Sequence, residues 1–268
     1  MKVLTVYAHP NPKSFCHALL EEFSRGLMDA GHTNEVIDLY AIGFDPVLKQ
    51  KDFVNWLPDE HAPGMVEKVV KEQVLSPNTN LLNRIISRFM FRNKSPIEII
   101  NMLRRKGPKD IRMQQQKVAN ADALVFISPV WFVGFPAMLK GWIERVFTLG
   151  FAFSLNTEGW HGDIGGRIPL LRHEKALVIS TTIFNEAAYQ TGLKQAMAKL
   201  IDEFSLLYPG IKKVQHEYFH AVNMADNKTL KSYLEKAYQL GNEFTKKPGS
   251  LINLSSFIDE PSPVFLVS

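Results

Sequence analysis

The sequence predicts an α/β fold with a doubly wound, five-stranded parallel sheet. Three observations predict it. Five short runs rich in β-branched and apolar residues are spread along 268 residues. Helical periodicity fills most of the intervals between them. Those intervals are also long enough for the crossover helices that parallel strands require.

The first run, Lys2–Ala8 (KVLTVYA), has the composition of a strand buried on both faces. Ser14 then acts as N-cap of an amphipathic helix to about Ala30, with Leu19, Leu20, Phe23 and Leu27 at helical spacing and Gly31 as its stop. Asn34–Leu39 (NEVIDL) is the second strand. Ala123–Ser128 (ALVFIS) is the third, followed by a Pro-rich turn and a helix from about Pro136 to Phe147. Lys175–Thr181 (KALVIST) is the fourth, with a helix from about Ala187 to Leu206. Gln215–Val222 is the fifth, and the last helix runs from about Asp226 to Phe244. Right-handed crossovers of this kind place the strands in the flavodoxin-like order 2-1-3-4-5, with helices on both faces. Ligands of such sheets bind beyond the carboxyl ends of the strands, where the order reverses. That rule selects His9–His17, Pro129–Pro136, Thr181–Tyr189 and Val222–Asn223.

One interval is too long for a single crossover. It contains Leu81–Phe91, with Arg84, Arg88 and Arg92 on one face, and Ser95–Lys106, with Ser95 as cap and Pro96 in the first turn. We read residues 1–246 as one domain with a helical insertion at about 60–112, and 247–268 as an arm or tail. The arginines form either a solvated face or a surface for nucleotide phosphates or an anionic membrane.

Composition narrows the classes. Hydrophobic residues make up 46% and charged residues 22%, enough for a sizeable core. No run of about 18 apolar residues occurs, and the apolar start ends too early for a signal peptide, so a cytoplasmic protein is expected. The single cysteine, Cys16, excludes an internal disulfide framework, and the eight histidines lack metal-ligand spacing. A net charge of +4 without any nucleic-acid-binding motif gives no reason to expect a nucleic-acid partner.

Candidate chemistry begins at the first strand end. The loop from Tyr7 to Cys16 turns into a helix N-terminus, which suits a phosphate; Ser14, His9 and Lys13 add side-chain donors. It lacks the glycines of a P-loop or a GxGxxG turn. A capped helix with an incidental histidine is the competing reading of that loop alone.

Further matches follow in order. The loop Ala8-His9-Pro10 with Ser14-Phe15, the segment Asp38-Leu39-Tyr40-Ala41 with Phe44-Asp45-Pro46, and above all the stretch from Pro129 through Trp131, Pro136, Lys140-Gly141-Trp142 and Glu144-Arg145-Val146-Phe147 resemble the flavodoxin-like NAD(P)H:quinone oxidoreductase family. The resemblance implies a flavin, expected to be FAD with FMN the alternative. It also implies NADPH or NADH as electron donor, a quinone-like small substrate and a homodimer. His9, Ser14, Phe15, Cys16, Pro129, Val130, Trp131, Phe132, Thr181, Thr182, Ile183 and Phe184 would bind the cofactor. Tyr189 would be the catalytic hydroxyl, with Gln195 where the family has a histidine. Phe153 and Leu155 fall where the family has tyrosines at the substrate gate, and His161, in the loop Gly159–Asp163, is a further substrate-side candidate. The family's paired glycines are replaced by Ile183 and Phe184, and its asparagine after Ser-Phe by Cys16. The helix carrying Lys140, Trp142, Glu144 and Arg145 reads as scaffold and dimer surface. An alternative from another class is a flavin-binding regulatory module docked on a membrane transport protein; a flavin-binding electron carrier is a third.

Overall fold

The computed structural model describes residues 1–74 and 91–245. Arg84, Arg88 and the tail from 247 lie outside them. The strands are β1 (Lys2–Tyr7), β2 (Thr33–Asp38), β3 (Ala123–Pro129), β4 (Phe153–Leu155), β5 (Arg167–Pro169), β6 (Lys175–Thr181) and β7 (Val214–Phe219). Five form one sheet in the order β2-β1-β3-β6-β7, with every pairing parallel. Counting only these five strands, this is the expected order 2-1-3-4-5. The pair β4–β5 is a separate antiparallel hairpin, absent from the sequence reading because three-residue strands carry too little periodicity to register.

Burial follows position in the sheet. All seven residues of the central β3 are buried, whereas β2 at the edge buries only Ile37 fully, which explains why a run as polar as TNEVID forms a strand. Alternate side chains feed two layers. On one face Leu4, Val6, Leu124, Phe126 and Val178 pack on Leu139, Trp142 and Val146 of the helix Ala137–Val146. On the other, Val3, Val125, Ile127 and Leu177 pack on Leu19, Phe23 and Leu27 of the helix Phe15–Asp29. That helix lies tightly against the last one, Asn227–Asn242. A Cβ at Gly26 would stand 2.1 Å from the Tyr238 carbonyl oxygen, so only glycine permits the approach.

The fourth helix is not continuous as expected. Thr191 and Gly192 leave helical geometry, Gly192 with φ of 104°, and the chain resumes at Lys194–Met197. The last strand likewise ends at Phe219 rather than Val222, because the chain turns at Ala221, which has φ of 50°.

The long interval contains a 3-10 helix, Gln50–Trp56, and the helices Pro63–Val69, Pro96–Arg105 and Lys109–Ala119. Ser95 caps Pro96–Arg105 in a capping box with Glu98. Val66, Val69, Ile99 and Ile100 form a small core there. Its anchor to the main body is Arg145, on the helix read as scaffold and dimer surface: it is 1% exposed, internal rather than on a surface, and makes a bidentate pair with equally buried Asp52, at 2.9 and 3.1 Å. Burial opposes charge on Asp52, but hydrogen bonds from Arg145 and the Lys49 N–H outweigh it and hold the carboxyl below its usual range. Among the described residues no helix is long and apolar enough to cross a membrane.

Candidate active site

The main cleft opens where the order reverses, beyond the carboxyl ends of β1, β3 and β6, and encloses about 600 Å³. Its floor is the loop from β1 into the helix Phe15–Asp29. Ser14 caps that helix, its Oγ accepting from the His17 N–H at 3.1 Å. The Phe15 and Cys16 amides precede the first intrahelical hydrogen bond and face the positive end of the dipole. His9 Nδ1 lies 3.0 Å from the Asn11 N–H and 3.1 Å from the Asn11 carbonyl, and its ring lies 6.0 Å from Trp131. Cys16 is buried against Thr181. Burial pushes its thiol up to about 12, only partly countered by a hydrogen bond with Thr181. It is a neutral wall, not a nucleophile.

The second wall is the segment after β3. Val130 donates to the Thr181 carbonyl at 2.8 Å, locking the ends of β3 and β6 together. Beyond it, Trp131 and Phe132 project outward, Phe132 fully exposed. The third wall is Thr181, Thr182 and Ile183. Thr182 donates through Oγ1 to the Phe184 carbonyl at 2.7 Å. The Ala221 N–H donates to the same carbonyl and the Val222 N–H to that of Thr182. Val222 and Asn223 complete the lining; the strand-end rule selected this segment without assigning it a role.

All the expected cofactor residues except Phe184 therefore meet in one cleft. Phe184 sits beside it, half exposed like Ile183. The other candidates lie elsewhere. Tyr189 is 2% exposed and stands behind Thr182 in the core, not on the lining. Gln195 is exposed on the helix Lys194–Met197, outside the lining. Phe153 packs on Trp56 and Tyr208, Leu155 ends β4, and His161 is exposed with Nδ1 2.7 Å from the Thr157 carbonyl. Within one chain, none of these three lines the cleft.

Sequence reasoning missed what surrounds Tyr189. His216, Tyr218 and His220 alternate along β7 and its end, and so share one face. His216 stacks on Tyr218 at 4.0 Å, Tyr218 on His220 at 5.8 Å, and the Tyr189 ring is 4.9 Å from His220. The Thr182 hydroxyl, already donating to Phe184, accepts from His220 Nδ1 at 3.3 Å. At the far end His216 bridges Ser180 and Asp202, each at 2.9 Å. This has the connectivity of a catalytic triad, but Ser180 is 1% exposed within a strand, out of reach of any substrate. Burial raises the Tyr218 and Tyr189 hydroxyls and lowers His220. Burial thus favours the neutral forms of Tyr218, Tyr189 and His220, in a column of donors and acceptors ending at Thr182. The period-two histidines and tyrosine were the signal available in the sequence. Among the described residues no cluster of His, Cys, Asp or Glu can hold a metal.

Sheet order, the capped first loop and a strand-end cleft with an apolar lip and a hydroxyl-bearing wall define a doubly wound α/β protein. The chain belongs to the family with the flavodoxin-like fold, whose model matches residues 1–240. It is 33% identical over 156 residues to NAD(P)H dehydrogenase [quinone] 1 of Cavia porcellus, a match covering 57% of this chain and 45% of that protein. The chain thus spans less than half the length of that relative. It is 25% identical over 241 residues to an uncharacterized NAD(P)H oxidoreductase of Haemophilus influenzae, covering 89% and 93% of the two chains. Among solved structures, the NAD(P)H:quinone oxidoreductase of Methanothermobacter marburgensis aligns with a TM-score of 0.63 at 26% identity, covering 91% of this chain and 96% of that one.

Proposed function

We propose that the protein is a flavin-dependent NAD(P)H oxidoreductase that moves two electrons, as hydride, from the nicotinamide to a quinone-like acceptor. The observation that carries the reading is the meeting, in one cleft, of the capped helix start at Ser14–Cys16 with the Pro129–Phe132 loop and Thr181–Thr182. These residues fit a flavin. The free amides and the Ser14 hydroxyl suit its phosphate, while Trp131 and Phe132 offer aromatic surface to a ring. The volume lies within the roughly 300–1,000 Å³ of small-molecule sites. A bound flavin would supply the hydride-accepting and hydride-donating centre.

The chain's residues do the rest. Thr182 presents a hydroxyl whose direction is set by Phe184 and His220, and Tyr189 backs it from the core. Cys16, held neutral, adds no charge beside the ring. The exposed apolar lip of Trp131, Phe132, Val133, Ile183 and Phe184 supports the dimer that the family resemblance implies, with Phe153, Leu155 and His161 brought to the cleft from a second copy. FAD is the proposed cofactor and FMN the alternative.

The test is an absorption spectrum of the purified protein with anaerobic addition of NADPH, then NADH, then a quinone. Flavin bands that bleach with nucleotide and return with quinone are expected, and chromatography of the heat-released chromophore distinguishes FAD from FMN. A colourless protein that takes up neither flavin overturns the reading.

A further inference from the structure

A second cavity, of about 360 Å³, shares no lining residue with the cleft. It lies where the helix Pro96–Arg105 hands over to Lys109–Ala119 and the chain leaves the helix Ala137–Val146. Arg104, Arg105 and Arg112 line it together with Asn55, Gln115 and Gly150, and no carboxylate does. From this we infer that the cavity is a binding site for a small phosphate-bearing anion.

The donors in its wall are left over by the fold. Asn55 is 7% exposed, yet its Nδ2 has no hydrogen-bond partner, and neither has the buried Nε of Arg104. A buried donor without an acceptor costs about 1–3 kcal/mol, a cost removed when a ligand supplies the acceptor. Among the described residues none of the three guanidiniums is paired with a carboxylate. Two neighbouring acids are engaged elsewhere: Asp59 binds His61 and Ser154, and Asp110 binds Arg145. Asp59 and Glu60 act on Arg104 only through space, and burial dominates by holding its guanidinium below the usual range.

Two of the arginines are also fixed in place. Arg104 donates to the Leu57 carbonyl and Arg112 to that of Gly107. Gly150 has φ of +77°, and a Cβ there would stand 2.2 Å from Arg104 Nη1, so glycine lets the guanidinium enter the wall. The helix dipole explains Arg104 and Arg105, which end a helix, but opposes a cation at Arg112, near the start of the next. An anion between them satisfies all three. Donors alone, mostly guanidinium forks, match phosphate oxygens, which take several such bonds at once.

The test is isothermal titration calorimetry of the full-length protein with pyrophosphate and, separately, glycerol 3-phosphate. Saturable one-to-one binding of at least one probe is expected, and the tighter of the two shows whether a free phosphate or an ester is preferred. Arg105→Gln with Arg112→Gln, both exposed, should weaken binding about tenfold or more while the protein stays folded. Asn55→Asp should abolish it, whereas Ser14→Ala in the cleft should leave it unchanged. Absence of binding by either probe, binding indifferent to the arginine changes, or binding lost on Ser14→Ala overturns the proposal. Titrations run with and without saturating FAD separate this binding from uptake of a probe at Ser14–Cys16 in an empty cleft.

Discussion

The Trp131 N–H donates to the Gly134 carbonyl at 3.1 Å, and the Gly134 N–H donates back to the Trp131 carbonyl at 3.2 Å. The exchange closes a two-residue turn at the lip of the cleft. Its central residues, Phe132 and Val133, have φ of 51° and 64°. Turns with two positive φ values normally take Asn-Gly, and a β-branched residue in that region is an outlier. Strain of this kind costs about 1–3 kcal/mol per residue and persists where the site uses the side chains. Val133→Gly is therefore expected to raise stability by about 1 kcal/mol or more in urea unfolding. Adding Phe132→Asn should remove the aromatic lip and weaken flavin binding, measured by fluorescence titration, while stability stays raised. Equal or lower stability of the Val133→Gly protein would show that the turn is unstrained.

Ser14 serves both fold and proposed function. Ser14→Ala removes the cap accepting from His17 and is expected to cost about 1 kcal/mol. It should also weaken flavin binding through the phosphate. A loss of stability with unchanged flavin affinity would leave the residue a cap alone.

The Asp52–Arg145 pair anchors the long interval to the main body. Asp52→Asn leaves a buried guanidinium without its bidentate partner and is expected to cost about 3–5 kcal/mol in urea unfolding. A loss under 1 kcal/mol would mean that Asp110 and the Asp45 carbonyl, its other partners, suffice.

Lys175 is pushed down to about 8 by burial; its ammonium donates to the Phe244 carbonyl and lies 3.7 Å from that ring's centre. A lysine lowered on folding is protonated more readily in the unfolded chain, so stability rises with pH between about 8 and the unperturbed value near 10.4. Below pH 8 both states hold the proton and the dependence vanishes. Lys175→Met should remove this rise from a series of urea melts. A rise of the same size in the variant would assign it to another group.

Tyr189 is expected to act by positioning Thr182, not by touching the reacting atoms. In the flavin-loaded protein, Tyr189→Phe removes the phenol that hydrogen-bonds Thr182, about 1 kcal/mol, and should slow nicotinamide-driven bleaching by about tenfold or less in stopped flow. Thr182→Val should slow it more, because the hydroxyl of a residue that itself lines the cleft goes. KM for the nucleotide should stay near its original value in both. A larger effect at Tyr189 than at Thr182 would reverse the assignment.

The sheet order and nearly all the cleft lining were legible in the residues, for a physical reason. Strands and crossover helices leave local periodicities, and a doubly wound sheet puts every strand end on one rim. Finding Lys2–Ala8, Ala123–Ser128 and Lys175–Thr181 was therefore enough to gather His9, Ser14, Val130 and Thr182 in one place. Tertiary structure alone decided the rest, because periodicity reports which face is apolar and not which neighbour covers it. Tyr189 lies behind Thr182 because the helix breaks at Gly192 and β7 brings His220 against its ring. Arg145 is internal because Asp52, 93 residues away, meets it there. The arginine cavity gathers Asn55, Arg104, Arg112 and Gly150 from four separate segments. Charge burial and unpaired donors are set by such long-range packing, and no local pattern encodes them.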